Sequence, residues 1–149
     1  MDKKSLELKV DKFIFRFIPD AYYSRAGVWA KPEGSRVRVG LSDFTQRRNG
    51  DVAFVEMKEA GTAVRVGEEV GAVETIKANL SIPSPLNGVV VEVNPALESS
   101  PELVNLDPYG RGWLASLAPA DWEADRSGLL TAQGFLDFAR SEAEEDLRK

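Results

Sequence analysis

Apolar and polar positions alternate in short runs through the middle of the chain, and Gly, Pro and Asn divide the runs. Val37, Val39 and Leu41 alternate with Arg36, Arg38 and Gly40, the period of a strand with one buried face. With the apolar stretch 28–30 they flank Lys31-Pro32-Glu33-Gly34-Ser35, which predicts a hairpin. Residues 13–18 predict a strand that ends at Pro19-Asp20, and further strands are expected over 52–56, 62–66, 69–75, 81–84 and 89–93. Residues 42–49 predict a short helix, with Ser42 as its cap, Asp43 at its positive end and Gly50 as its stop. Ser99 and Glu102 stand at capping-box spacing around Pro101 and predict another helix start. Over 131–147, Phe135, Leu136, Phe138 and Ala139 form one helical stripe.

Strands spaced this closely favour a sandwich or small barrel. The layout expected is a β core with small helices at its margins and a C-terminal helix across one side. The 149 residues fit one domain, with 1–12 and 141–149 expected as terminal extensions. A weak internal symmetry relates the strand–turn–strand unit around Gly67 and Gly71 to the one around Pro85 and Gly88. The two units meet at Ile76-Lys77-Ala78, which places Lys77 on a tight, exposed hairpin.

Composition narrows the chemistry. The chain has no Cys and no His. It therefore lacks a thiolate nucleophile, a disulfide, the usual general base near pH 7 and the commonest transition-metal ligands. A protein that takes part in reactions without these groups is expected to carry something rather than to catalyse. The net charge of −5 argues against a nucleic-acid partner. No apolar run reaches membrane-spanning length and the first ten residues are charged, so no membrane role and a cytoplasmic location are expected. The acid-rich stretch after Asp121 reads as a solvated helix face. Gly110-Arg111-Gly112 reads as a turn rather than a phosphate loop, and Trp29, Trp113 and Trp122 as packing residues. Tyr22 and Tyr23 receive no role.

A lysine at a hairpin tip has the physical properties of a swinging arm: a flexible stem, an acylable amine and a rigid platform. Position alone describes many ordinary surface lysines, and the surrounding residues carry the case further. Glu74-Thr75-Ile76-Lys77-Ala78 resembles the Glu-Ser-Val-Lys-Ala of the glycine-cleavage H-protein family, and more loosely lipoyl domains in general. Upstream, Val39-Gly40-Leu41-Ser42-Asp43-Phe44-Thr45-Gln46 is similar to the family's V-G-I-T-D-Y-A-Q, and 50–56 to its G-D-I-V-F-V-E. Downstream, 85–94 is similar to P-V-S-G-x-V-x-E-V-N, and 101–113 to P-E-L-I-N-x-D-P-Y-G-x-G-W. The similarity runs in order from about Phe15 to about Arg140.

The resemblance implies a barrel–sandwich hybrid of the lipoyl/biotinyl hammerhead type, with lipoate bound covalently to Lys77. It also implies that Glu74, Gly61 and Gly88 guide the lipoate-attaching enzyme. The two glycines are expected in addition to serve tight turns through positive φ. Biotin carriers place Met on both sides of the lysine; Ile76 and Ala78 stand there here, which argues for lipoate. The cofactor then supplies thiol–disulfide reactivity that the chain lacks. Expected partners are glycine decarboxylase, aminomethyltransferase and dihydrolipoamide dehydrogenase, with the carrier itself a monomer.

The chain departs from the family in places. Gly27-Val28-Trp29 replaces His-Glu-Trp, Asn49 replaces a leucine after the basic pair Arg47-Arg48, and 78–85 reads Ala-Asn-Leu-Ser-Ile-Pro-Ser-Pro. This pattern resembles the H-like lipoate-binding proteins of bacterial sulfur oxidation, which work with heterodisulfide-reductase-like complexes. The lost His-Glu pair and the Ile82-Pro83-Ser84-Pro85 stretch favour sulfur slightly over aminomethyl as cargo. A third reading is a non-catalytic H-like binding or lipoyl-relay module.

Overall fold

A computed structural model describes residues 5–147. Strands β1 (Leu6–Val10) and β2 (Phe13–Phe17) form a hairpin of their own. The chain continues through β3 (Tyr22–Tyr23), β4 (Val28–Glu33), β5 (Arg36–Leu41), helix α1 (Asp43–Asn49), β6 (Val52–Met57), β7 (Ala63–Val64), β8 (Glu69–Thr75), β9 (Asn79–Pro83) and β10 (Gly88–Val93). A 3₁₀ turn (Pro95–Glu98) and helix α2 (Leu103–Leu106) lead to β11 (Ala115–Pro119), α3 (Trp122–Arg126) and the long helix α4 (Ala132–Leu147). The architecture is mainly β with short helices and a C-terminal helix, as expected.

Two open sheets hold the main core. One has six strands in the order β3-β4-β5-β11-β10-β7, the other three in the order β6-β8-β9. Val37, Val39 and Leu41 are buried on β5, as their alternation predicts, and they pack with Val70 and Val73 of β8 and Ile82 of β9. A second cluster lies under the N-terminal hairpin. There Phe17, Tyr23 and Phe135 are almost wholly buried, and the Tyr23 and Phe135 rings stack with centroids 4.9 Å apart.

The segments expected as terminal extensions carry structure over their described parts. Leu6–Val10 pairs along its full length with β2, and Leu8 is buried. Helix α4 runs to Leu147 and buries Ala143. Residues 1–4 and 148–149 of those extensions lie outside the described part. Both termini contribute apolar side chains to the second cluster, and burial of such side chains is what holds short elements of this kind.

Hydrogen bonds also clamp the hairpin to the rest. The Asp43 carboxylate accepts from Arg16 N at 2.9 Å, and the Tyr109 hydroxyl donates to Arg16 O at 2.6 Å. The Tyr23 hydroxyl accepts from Ile18 N and donates to Ile18 O, at 2.8 and 3.0 Å. Burial pushes both phenols above their ordinary pKa, since the phenolate would lose its hydration. Below about pH 10 both states keep the phenolic protons and stability is unaffected. Above it, the unfolded chain releases protons that the folded chain retains, so stability falls by up to about 1.4 kcal/mol per pH unit for each tyrosine. Urea midpoints measured from pH 8 to 11 should be level below pH 10 and decline beyond it. The tyrosine to phenylalanine variants should flatten that decline.

Candidate functional site

Strands β8 and β9 pair from Glu69↔Pro83 to Glu74↔Asn79 and leave a turn of four residues, Thr75-Ile76-Lys77-Ala78. Neither Ile76 nor Lys77 adopts a positive φ, so this turn does not use the mirror-image geometry that glycine supplies to most two-residue hairpins. The Thr75 side chain organises it instead. Its hydroxyl accepts from Lys77 N at 3.1 Å and Ala78 N at 3.0 Å, and donates to Ala78 O at 3.2 Å. Thr75 N donates to Ala78 O at 2.8 Å, closing the loop. Ile76 N donates to Asp51 O at 3.1 Å and ties the tip to the segment after α1.

Sequence reasoning passed over Thr75. The signal was present: a hydroxyl side chain that can bond its own backbone two and three residues on is a turn former. A Thr75→Val substitution keeps shape and removes the hydroxyl. It should cost about 1–3 kcal/mol through orphaned turn amides. Urea unfolding reads the loss, and Thr75→Ser should recover most of it.

Lys77 is exposed, and no ion pair engages its ammonium among the described residues. Its stem lies over the C-terminal end of α1, where a Cβ built on Gly50 would stand 3.5 Å from Lys77 Cγ and Cδ. Helix α1 is capped as predicted: Ser42 Oγ accepts from Thr45 N at 3.1 Å, and Gly50 follows its last residue with φ +84°. Glu74 is exposed on the outward face of β8, between Phe54 on β6 and Asn79 on β9. Phe54 is 68% exposed and Ile76 73%, so large apolar side chains lie open on the same hairpin and the strand paired with it. Phe54 belongs to this surface and was not singled out from sequence; its exposure is invisible in an apolar run.

Gly61 and Gly88 are not brought to Lys77. By register they lie at the other end of the three-stranded sheet, where Ser84 N bonds to Glu68 O. Gly61 has φ +95° and open space around it, so positive φ is its requirement, as expected. For Gly88 the reason is different. Its φ is not positive, and a Cβ there would stand 2.5 Å from Ala118 O, so close strand approach demands glycine. Among the expected recognition residues, only Glu74 shares a surface with the lysine.

The other candidates settle into structure. Gly110-Arg111-Gly112 is a turn in which Arg111 N and Gly112 N both bond to Asp107. Trp29 is fully buried and donates from Nε1 to Pro108 O at 3.0 Å. Trp113 underlies the Arg38 guanidinium, and Trp122 meets Tyr22 edge to face. Among the described residues, no helix is long and apolar enough to cross a membrane.

The family model for the glycine cleavage H-protein matches residues 21–142. The chain belongs to the glycine cleavage H-protein family. A glycine cleavage system H protein of Thermus thermophilus is 47% identical over 124 residues, 83% of this chain and 96% of that protein. That of Bacillus licheniformis is 40% identical over 120 residues, covering 80% and 94%. The crystal structure of a glycine cleavage system H protein from Mycobacterium marinum superposes with a TM-score of 0.71 at 33% identity, covering 83% of this chain and 97% of that one. Proteins of the H-protein family are carriers with lipoate held covalently on a lysine, not enzymes.

These relatives lend nothing to sulfur transfer or to a heterodisulfide-reductase-like partner, and several departures from the H-protein pattern have internal causes. Gly27 has φ +85°, and a Cβ there would collide with Thr45 Oγ1 at 1.8 Å. Thr45 stands where the family has Ala, and its hydroxyl donates to Gly27 O at 3.2 Å. The loss at 27 and the gain at 45 are thus one exchange of volume. Val28 is fully buried in the main core. Asn49 Nδ2 donates to Thr45 O at 2.8 Å and finishes α1. Arg48 pairs with Asp146 of α4 at 2.8 Å, and Arg47 faces Asp43 at 3.7 Å. Ile82 is buried, and Ser84 Oγ donates to Leu86 O at 2.6 Å, at the end of the sheet away from Lys77.

Proposed function

We propose that Lys77 is the lipoyl attachment lysine and that this chain is the carrier of glycine cleavage. Its arm takes an aminomethyl unit from a pyridoxal-phosphate glycine decarboxylase to a folate-dependent aminomethyltransferase, and a flavin dihydrolipoamide dehydrogenase returns it to its starting state. The observation that carries the reading is an exposed lysine, with no ion pair among the described residues, on a turn fixed by Thr75, three residues after the exposed carboxylate of Glu74.

Lipoate supplies a dithiolane, and with it reactivity that a chain without Cys or His does not have. The residues supply presentation. Thr75 and the Asp51 carbonyl hold the turn, so the mobile part begins at the Lys77 stem rather than at the backbone. Glu74 and Phe54 form an exposed polar and apolar pair on the strands that lead to the turn, which a lipoate-attaching enzyme can read. Acylation removes the ammonium charge from a surface that holds Glu74 and Asp51, so the loaded tip is more acidic than the bare one.

Lipoylated protein mixed with glycine decarboxylase, pyridoxal phosphate and glycine should exchange labelled bicarbonate into the glycine carboxyl group. Absence of exchange, with lipoylation verified by intact mass, would overturn the glycine-cleavage assignment.

A further inference from the structure

Two Asn-Gly sequences occur in the chain, Asn49-Gly50 and Asn87-Gly88. In such a pair the glycine nitrogen can attack the asparagine side-chain amide, because glycine has no side chain to hinder the approach and a backbone free to make it. The fold treats the two pairs oppositely.

Asn87-Gly88 is locked. The Asn87 side chain accepts from Val66 N at 2.8 Å and donates from Nδ2 to Asp125 at 3.2 Å, and Asn87 N donates to Asp125 at 2.8 Å. Gly88 lies in β10 between two neighbours, opposite Val64 of β7 and Pro119 of β11. Its nitrogen cannot turn onto Asn87 unless the sheet opens.

Asn49-Gly50 is open. Asn49 is the last residue of α1, and among the described residues its side chain makes one hydrogen bond, from Nδ2 to Thr45 O. Gly50 N makes none among the described residues. The residue after α2, by contrast, turns its N–H back to Leu103 O at 2.8 Å. Asn49 and Gly50 are both half-buried, and each lines a cavity, of about 300 Å³ and about 610 Å³ respectively, so water reaches the linkage.

We propose that Asn49-Gly50 is a self-modification site of this protein and that its product disturbs the turn carrying Lys77. The Gly50 nitrogen gives up its proton and bonds to Asn49 Cγ. The Cγ–Nδ2 bond breaks, and the amide nitrogen leaves with that proton as ammonia. Water then opens the resulting succinimide at either carbonyl. One opening gives aspartate at position 49. The other gives isoaspartate, whose main chain runs through Cβ and is longer by one methylene. Either product loses the bond to Thr45 O and puts a carboxylate at the negative end of α1. The next two residues support the tip. Gly50 O accepts from Asn105 Nδ2 and Gly50 lies under the Lys77 stem, while Asp51 O accepts from Ile76 N. A lengthened backbone at 49 shifts that support. Neither the reaction nor its effect on the turn requires an acylated lysine, so this proposal and the carrier reading stand or fall separately.

Full-length protein is held in mildly alkaline buffer, sampled over time and digested at acid pH, which adds no further deamidation. Peptide mass mapping follows each asparagine, and an isoaspartyl methyltransferase with labelled S-adenosylmethionine marks the isoaspartate. A helix end opens far more often than a strand paired on both sides, so Asn49 should be lost at least about tenfold faster than Asn87. Asn49→Gln, which would need a larger ring, should stay intact at this position. Amide hydrogen exchange at Ile76 should quicken in the aged protein and not in equally aged Asn49→Gln protein. Survival of Asn49 equal to that of Asn87 would overturn the site. Unchanged Ile76 exchange in deamidated protein would overturn its link to the turn.

Discussion

Lys77→Arg yields a protein of unchanged stability that gains no mass from any lipoate-attaching enzyme and supports no bicarbonate exchange. Arginine keeps the positive charge and much of the stem. Its guanidinium stays protonated and offers no amine for acylation at neutral pH. The turn does not depend on the side chain, because Lys77 joins the Thr75 network through its backbone N–H. An exposed substitution of this kind shifts stability by no more than about 0.5 kcal/mol. The functional loss is therefore complete while the fold is unaffected, a separation that unfolding curves and intact mass read on one sample. A large drop in the urea midpoint would mean that the Lys77 side chain holds the turn.

Trp29→Ala should produce the largest loss of stability. Trp29 is fully buried, and a Cβ at Gly40 would stand 2.6 Å from its ring, so the indole lies directly against β5. Its Nε1 also holds Pro108 O, and its ring meets Tyr109 at 6.1 Å. Truncating a buried tryptophan costs about 3–5 kcal/mol, and leaving the Pro108 carbonyl without its donor adds about 1–3 kcal/mol. Against a typical total of about 5–15 kcal/mol, this threatens the folded state itself. Trp29→Phe keeps part of the volume and loses the donor, so it should fall in between. Urea unfolding ranks the three proteins. If Trp29→Ala were no less stable than Trp29→Phe, the packing account of this residue would be wrong.

Elements whose signals are local were legible in the sequence. Strand β8 occupies the predicted residues 69–75, and α1 begins at the predicted cap and stops at the predicted glycine. The hairpin of β4 and β5 forms, though β4 runs on through Lys31-Pro32-Glu33 and the turn tightens to Gly34 and Ser35, with Gly34 at φ +63°. Elements that depend on distant partners were not legible. Strand β1 is a short charged stretch that becomes a strand only because β2 pairs with it and α4 covers it. Strand β11 bonds to β5, far away in sequence. Competing local chemistry also misled. Ser99 and Glu102 have capping-box spacing, but Asn94 caps the 3₁₀ turn before them, and α2 starts at Leu103 without a side-chain cap.

The candidate site divides in the same way. The exposed Lys77 on its hairpin was readable from the strands on either side, and Glu74 from the motif. Gly88 was given a turn role that the structure replaces with strand approach. Some family departures looked like a changed surface because sequence shows which residues differ and not where they point. Gly27 and Thr45 are eighteen positions apart, yet one fills the space the other leaves.

The structure also offers an internal control for its central claim. Lys12, like Lys77, sits on a hairpin turn, here of two residues between β1 and β2, beside an exposed aromatic ring. If tip position alone made a lipoyl site, both lysines would be modified. The Lys77 tip differs in having Glu74 on the preceding strand and Thr75 fixing the turn. Tandem mass mapping of the protein after co-expression with a lipoate-attaching enzyme distinguishes them. The account predicts a lipoyl adduct on the Lys77 peptide and an unmodified Lys12 peptide. An adduct on Lys12, or a bare Lys77 beside a lipoylated control carrier, would contradict it.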